Sequence, residues 1–367
     1  MDGMTRDAMG NTASAELSRI VDSSEKSLPY VLTHSALAAY RACPRKFALA
    51  YIHQYRSKKT AHPLFFGTAI HRAIEAFWRA YMAGVADPAA VALAVISSEL
   101  KGFDLARARP MMVAYTSVWM THKWKVLAVE AKFRVPMHHP DGRKSSRFVI
   151  EGKIDLILMG PDGVLRVVEH KTAGVDVGEG SIYRRKLNRD EQITLYLEGA
   201  ASLGHVTSRV TYDVLRKPKL KPKLATPVEK RRYTVDAKTK ERRLYAKHRE
   251  HDETAEEFEA RVSAQIAAAP DQWIVRVRVD RNDSQRKRFS LNIWNQSNHL
   301  ASDLDGGHFS ENTGACEMFG RDCAFAPHCL ESVPLTDPYV FEKKTSAHEE
   351  LEEPEDLEDE TNDNSDE

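Results

Sequence analysis

Two apolar runs, residues 148–159 and 164–170, are joined by Gly160-Pro161-Asp162-Gly163, and this arrangement constrains the chain more than any other feature. Both runs are rich in Val, Ile and Leu, and the linking tetrapeptide has the residue types a tight turn needs, so the pattern predicts a β-hairpin. Side chains alternate along a strand. Val149, Glu151, Lys153, Asp155 and Ile157 therefore share one face, and Leu165, Val167, Glu169 and Lys171 share a face of the partner strand. Asp155, Glu169 and Lys171 stand at or near the ends of otherwise apolar strands, where unpaired charge costs on the order of several kcal/mol. A divalent metal held by the two carboxylates would remove that cost. Their hard oxygens suit Mg²⁺ or Mn²⁺, and such an ion lowers the pKa of a bound water and offsets charge on a phosphate. Lys171, on the face of Glu169, can stabilise transition-state charge or orient the attacking water. Taken alone, Glu-x-Lys after an apolar run also fits an edge-strand ion pair.

Helical spacing surrounds the hairpin. The segment after Ser35, which can cap it, is apolar at helical intervals and is interrupted at Pro44; residues 66–84, 89–100 and 111–128 continue the pattern. A strand is also expected at 132–136. Beyond the hairpin, a helix is expected at 189–203, strands at 206–215 and 272–279, and helices at 253–268 and 292–304. Residues 1–30 read as a disordered leader and 336–367 as a disordered acidic tail. No Gly-rich loop ending in Gly-Lys-Ser/Thr is present, so the chain shows no ATP motor motif.

The balanced charge hides an asymmetry. Residues 349–367 hold 12 acidic residues and no Lys or Arg, which leaves a formal +12 on residues 1–348. Residues 216–250 hold 14 Lys and Arg against 4 acidic residues in a Pro-broken stretch, which reads as a basic insertion able to contact nucleic-acid phosphates while the tail competes for the same surface. A solvated surface with a solubility tail is the plainer alternative. No run reaches the roughly 18–20 apolar residues that cross a bilayer, and the first 27 residues lack a signal-peptide core, so a cytoplasmic protein without membrane attachment is expected. In that compartment the four cysteines, Cys43, Cys316, Cys323 and Cys329, point to metal ligation rather than disulfides.

Two further motifs flank the hairpin: Gly67-x-x-x-His71 upstream, and Gln192-Ile193-Thr194-Leu195-Tyr196 downstream, with Gln192 and Tyr196 on one helix face. The order Gly-x-x-x-His, Ile-Asp, Glu-x-Lys, Gln-x-x-x-Tyr, together with SALAAYRACPRKF near the start, resembles the RecB-like branch of the PD-(D/E)XK nuclease superfamily over roughly residues 33–330. The resemblance implies an α/β fold: a mixed central β-sheet flanked by helices (a restriction-endonuclease-like core), with an N-terminal helical region and a C-terminal cysteine staple, spanning 31–335. It implies that His71, Asp155, Glu169 and the backbone carbonyl of His170 bind the metal, that Lys171 is catalytic, and that Gln192 and Tyr196 help position DNA. Glu75 reads either as a helix-surface ion pair or as support for His71.

The distant Cys43 and the trio at 316–329 are similar to the iron-staple arrangement of AddB-type and CRISPR-associated exonucleases, which implies a 4Fe–4S cluster, with zinc as the alternative occupant. Here six residues separate Cys316 from Cys323, where that family typically has two. The activity implied is hydrolysis of DNA phosphodiesters, with single-stranded ends as substrate and a helicase or CRISPR-adaptation protein as partner. A non-catalytic DNA-binding subunit that keeps the fold is the alternative.

Overall fold

The computed structural model describes residues 29–58, 62–318 and 320–352, so the expected leader up to residue 28 and the tail from 353 onward lie outside the described residues. In chain order the elements are β1 (Tyr30–Leu32), α1 (His34–Ala42), α2 (Pro44–Phe47), β2 (Tyr55–Ser57), α3 (His62–Met82), α4 (Pro88–Glu99), α5 (Gly102–Trp119), β3 (Lys125–His138), β4 (Lys144–Met159) and β5 (Leu165–Ala173). They continue with α6 (Ile182–Arg189), α7 (Gln192–Ser202), β6 (Arg209–Arg216), β7 (Tyr233–Val235), β8 (Arg242–Leu244), α8 (Ala255–Ala268), β9 (Ile274–Asp280), α9 (Asp283–Gly306), α10 (Ala326–Glu331) and β10 (Phe341–Lys343). The described residues form two compact units, one drawn from 29–58, 146–152 and 293–352, the other from 62–145 and 153–292. Among the described residues, no helix is long and apolar enough to cross a membrane.

In the first unit, β1 pairs in parallel with Phe148–Ile150 of β4, and β10 pairs antiparallel with β2. The helix expected to start at Ser35 is capped two residues earlier, by Thr33, whose hydroxyl accepts from the Ala36 N–H at 3.1 Å. Thr33 has the extended backbone a cap requires, whereas Ser35 is already helical. The interruption at Pro44 is real: α1 stops at Ala42 and Pro44 begins α2, where its missing N–H is harmless. Residues 336–352, expected to be part of a disordered tail, are instead folded. Phe341 is buried with Leu49 and Phe325, Glu342 and Glu349 bind Arg56, and Glu350 accepts from the Thr33 hydroxyl. The acidic start of the tail thus has partners within its own unit.

The second unit is a mixed sheet between helices. β4 and β5 are antiparallel, β5 and β6 parallel, and β6 and β9 antiparallel. The turn between β4 and β5 closes as expected, with the Gly163 N–H donating to the Gly160 carbonyl and Gly163 at a φ of 71° that its lack of a Cβ permits. Helices α3, α4, α5 and α8 bury one apolar face against Leu156, Leu158, Val168 and Leu215 of the sheet. α5 starts nine residues before its expected position and ends before β3, because the buried Pro110 is accommodated inside it rather than ending it. α7 packs on β3 and β5, and its approach depends on Gly199: a Cβ there would lie 2.5 Å from the Phe133 ring. The helix expected at 189–203 is α7, which starts three residues later at Gln192, and a separate helix, α6, that the sequence did not suggest ends at Arg189 before it. Of the expected insertion at 216–250, Arg216 ends β6, and the rest contains only the small β7–β8 hairpin and a 3₁₀ turn at Val228–Lys230.

Candidate functional site

The antiparallel register pairs Leu156 with Val168, and extending it by one residue sets Asp155 opposite Glu169. There the ladder gives way to a side chain: the His170 N–H donates to Asp155 Oδ2 at 2.8 Å. Glu169 and Lys171 project from β5 on one face, and the Lys171 ammonium donates to Glu169 Oε1 at 2.6 Å and to Gln192 Oε1 at 2.8 Å. Gln192 Nε2 in turn donates to the Tyr196 hydroxyl at 2.8 Å. Of the i, i+4 pair on α7, expected to address a nucleic-acid strand, Gln192 thus bonds the lysine and Tyr196, only 7% exposed, bonds Gln192.

His170 points to the opposite face of β5. Its ring is buried between Asp155, with Nδ1 3.5 Å from Oδ2, and Asp213 of β6, with Nε2 3.9 Å from Oδ2. Tyr115 shares a hydrogen bond with His170 Nε2 at 3.0 Å, Trp78 donates to Tyr115 at 2.7 Å, and Trp119 donates to Asp213 Oδ2 at 2.6 Å. His71 on α3 meets the His170 ring edge to face, centroids 6.4 Å apart. Glu75 bonds Arg79 one turn along α3 at 2.8 Å, which is the helix-surface ion pair of the two alternatives.

Burial dominates the electrostatics. Burial first, and the charge of Asp155 second, push the Glu169 carboxyl up to about 8. Burial acts to raise Asp155 too, but the hydrogen bond from His170 and the nearby imidazoles prevail and hold it at about 2. Burial lowers His71, so its imidazole is neutral, the form that ligates metals. Burial alone would lower Lys171, yet Glu169 and Asp155 outweigh it and keep the amine charged.

One carboxylate escaped the sequence reading. Glu130, in the run VLAVEAKF of β3, is bonded to Lys153 at 2.8 Å and is pushed up to about 7 by burial and then by Asp155. It sits at a φ of 50°, a left-handed conformation that costs a non-glycine residue about 1–3 kcal/mol and is found where function holds a side chain in place. The only sequence signal was a lone acid among apolar neighbours.

Glu169 Oε2 is buried without a hydrogen-bond partner, in a site whose carboxylates repel one another, and a dication would satisfy both conditions. Among the described residues, no three His, Cys, Asp or Glu side chains converge as closely as a single ion requires.

In the first unit, Cys43, Cys316, Cys323 and Cys329 line one pocket. The long Cys316–Cys323 spacer is accommodated by a hairpin: Glu317 and Asp322 form a β-bridge, Met318 and Arg321 close the turn, and the Cys323 N–H donates to the Cys316 carbonyl. Six intervening residues thus return Cys323 beside Cys316. The Asn312 N–H lies 3.4 Å from Cys43 Sγ, as an amide does when it supports a thiolate.

A family model described as the PD-(D/E)XK nuclease superfamily matches residues 31–329. Among solved structures, the chain is similar to that described as the crystal structure of SSO0001, at 12% identity and a TM-score of 0.23, covering 71% of this chain and 82% of that one. A search of curated proteins finds no match.

Proposed function

Since the chain belongs to the PD-(D/E)XK nuclease superfamily, we propose that it is a Mg²⁺- or Mn²⁺-dependent deoxyribonuclease of the RecB-like branch that degrades single-stranded DNA from its ends. The observation that carries this reading is the meeting of Asp155, Glu169 and Lys171 in one buried cluster, with Glu169 Oε2 left without a partner. By the family resemblance Asp155, Glu169, His71 and the His170 carbonyl would hold the metal, drawing together around it from their wider spacing here, and the ion supplies an acidified water and charge compensation at the phosphate. The chain's own residues do the rest. Lys171 remains an ammonium and can stabilise charge on the phosphate, held in place by Glu169 and Gln192, with Tyr196 fixing Gln192 in turn. The His170 N–H orients Asp155. The basic insertion at 216–250, which projects Arg242 and Arg243 on exposed β8, supplies phosphate contacts. A helicase or CRISPR-adaptation protein would present the ends, in the cytoplasm.

End-labelled single-stranded DNA incubated with Mg²⁺ or Mn²⁺ should lose its label progressively, and EDTA should stop the reaction. Equal digestion in EDTA would overturn the metal-dependent reading, and cleavage of circular single strands at the same rate would overturn the preference for ends.

We further propose a 4Fe–4S cluster on Cys43, Cys316, Cys323 and Cys329. Support comes from their shared pocket. A cluster binds each thiolate to a different iron and so accepts a wider spread of sulfurs. Protein purified without oxygen should be brown, with iron and sulfide each approaching about four per chain. Cys43→Ser should lower the unfolding temperature, since the thiolate joining the N-terminal helices to the C-terminal loop is lost. A colourless protein with stoichiometric zinc would reject the cluster.

A further inference from the structure

A pocket of the second unit, of 280 Å³, opens between the start of α7 and the first turns of α9. Three arginines line it: Arg189 at the end of α6, Arg281 just before α9, and Arg288 within α9. Arg281 is only 7% exposed, yet its hydrogen bonds go to neutral oxygens: the Thr194 hydroxyl at 3.1 Å and the carbonyls of Asp190, Asn188 and Asp280 at 2.9, 3.1 and 3.3 Å. The guanidinium is withdrawn from water with no bonded carboxylate, only the nearby charge of Asp190, so an anion joining it would offset part of the cost of its burial. Arg189 and Arg288 are exposed, and among the described residues their side chains make no hydrogen bond or ion pair.

Two carboxylates share the lining. Asp190 accepts from the Gln192 N–H at 3.0 Å, while Glu191 begins α7 without capping it. The remaining wall is neutral, with Gln285 and Asn292 on the same face of α9 as Arg288. The volume lies near the low end of small-ligand cavities, about 300 Å³, which fits a phosphate group better than a large cofactor. The eleven-residue α7, which begins at Gln192, turns its positive end toward the same place.

The pocket is wired to the catalytic cluster. Arg281 bonds the carbonyl of Asp190, Asp190 accepts from the Gln192 N–H, and Gln192 accepts from Lys171. We propose that this pocket seats a phosphate of the substrate strand next to the one being cut, whether an internal phosphodiester or a terminal phosphate. The proposal rests on the nuclease reading above. The unengaged guanidiniums of Arg189 and Arg288 suit phosphate oxygens bidentately, Arg281 adds its charge and the one N–H its four bonds leave over, and a seated neighbour phosphate would fix the strand's register over Lys171.

The test uses the exposed pair, whose loss spares the core: Arg189→Ala, Arg288→Ala and the double variant, with Asn292→Asp adding a repelling carboxylate. Affinity for labelled single-stranded DNA is measured in EDTA, apart from any cleavage, at several salt concentrations. Each arginine variant should weaken binding about three- to tenfold and reduce the salt slope by about 0.7. Asn292→Asp should also weaken binding, and in Mn²⁺ the arginine losses should appear in KM rather than kcat.

Loss of affinity on circular strands as well as on linear ones identifies an internal phosphodiester. Loss confined to phosphorylated ends identifies a terminal phosphate. Wild-type affinity and salt slope in the double variant would overturn the pocket, as would a wild-type protein that binds no DNA. Wild-type protein that binds but never cleaves would instead sink the nuclease reading, with the pocket still judged by the variants' affinities.

Discussion

Lys171→Ala is expected to slow single-turnover cleavage of single-stranded DNA by about 10²-fold or more, the typical effect of removing one electrostatic stabiliser, while affinity measured in EDTA changes little. The ammonium lies 2.6 Å from Glu169 and 2.8 Å from Gln192, inside the cluster rather than on the basic surface. At any pH where a lysine would begin to titrate, Glu169 is already an anion and keeps its partner charged. The side chain therefore acts as a fixed positive charge and not as a proton acceptor. Lys171→Met, which keeps most of the volume, should be as slow as the alanine variant; a shape effect would spare it. Cleavage by Lys171→Ala at the wild-type rate would dismiss the assignment.

The second large effect concerns stability. Asp213→Ala is expected to cost about 3–5 kcal/mol, the range for breaking a buried charged pair from one side, and a loss of that size shifts the folding equilibrium by about 10²–10⁴-fold. Asp213 has no solvent exposure, takes the Trp119 indole N–H at 2.6 Å, and lies 3.9 Å from both His170 and Arg276. Arg276 is stacked 3.8 Å over the Trp119 ring, and its Nε is buried without a hydrogen bond. Without the carboxylate, a buried indole N–H and a buried guanidinium lose their acceptor and counter-charge together. Asp213→Asn retains an acceptor for Trp119 and should lose clearly less. Urea denaturation of the three proteins decides the matter: a loss under about 1 kcal/mol for the alanine variant, less than one unsatisfied buried donor costs, would show that the network does not depend on Asp213.

The two predictions differ in how far the sequence could anticipate them. Glu169 and Lys171 share a face because strand side chains alternate, and Gly160-Pro161-Asp162-Gly163 closes its turn through residues only a few positions apart. Such local rules also gave the break at Pro44, the strand at β9 and the candidate ligands. They overreached where a buried Pro110 is held inside α5, and where Thr33 rather than Ser35 caps α1.

What the sequence determined by itself is this local layer: the hairpin, its carboxylates and lysine, the four cysteines, and the alternation of helix and strand. Only the tertiary structure decided which distant groups meet. The parallel β5–β6 register sets His170 beside Asp213, the left-handed backbone at Glu130 brings a third carboxylate to Asp155, and Gln192 and Tyr196 turn inward to hold Lys171. Pairing of β10 with β2 folds a segment whose acidity alone reads as disorder, and a six-residue hairpin closes the spacing between Cys316 and Cys323. Periodicity and turn chemistry are written in neighbouring residues, whereas strand register and the burial of charge depend on loop closure and packing between segments far apart in the chain.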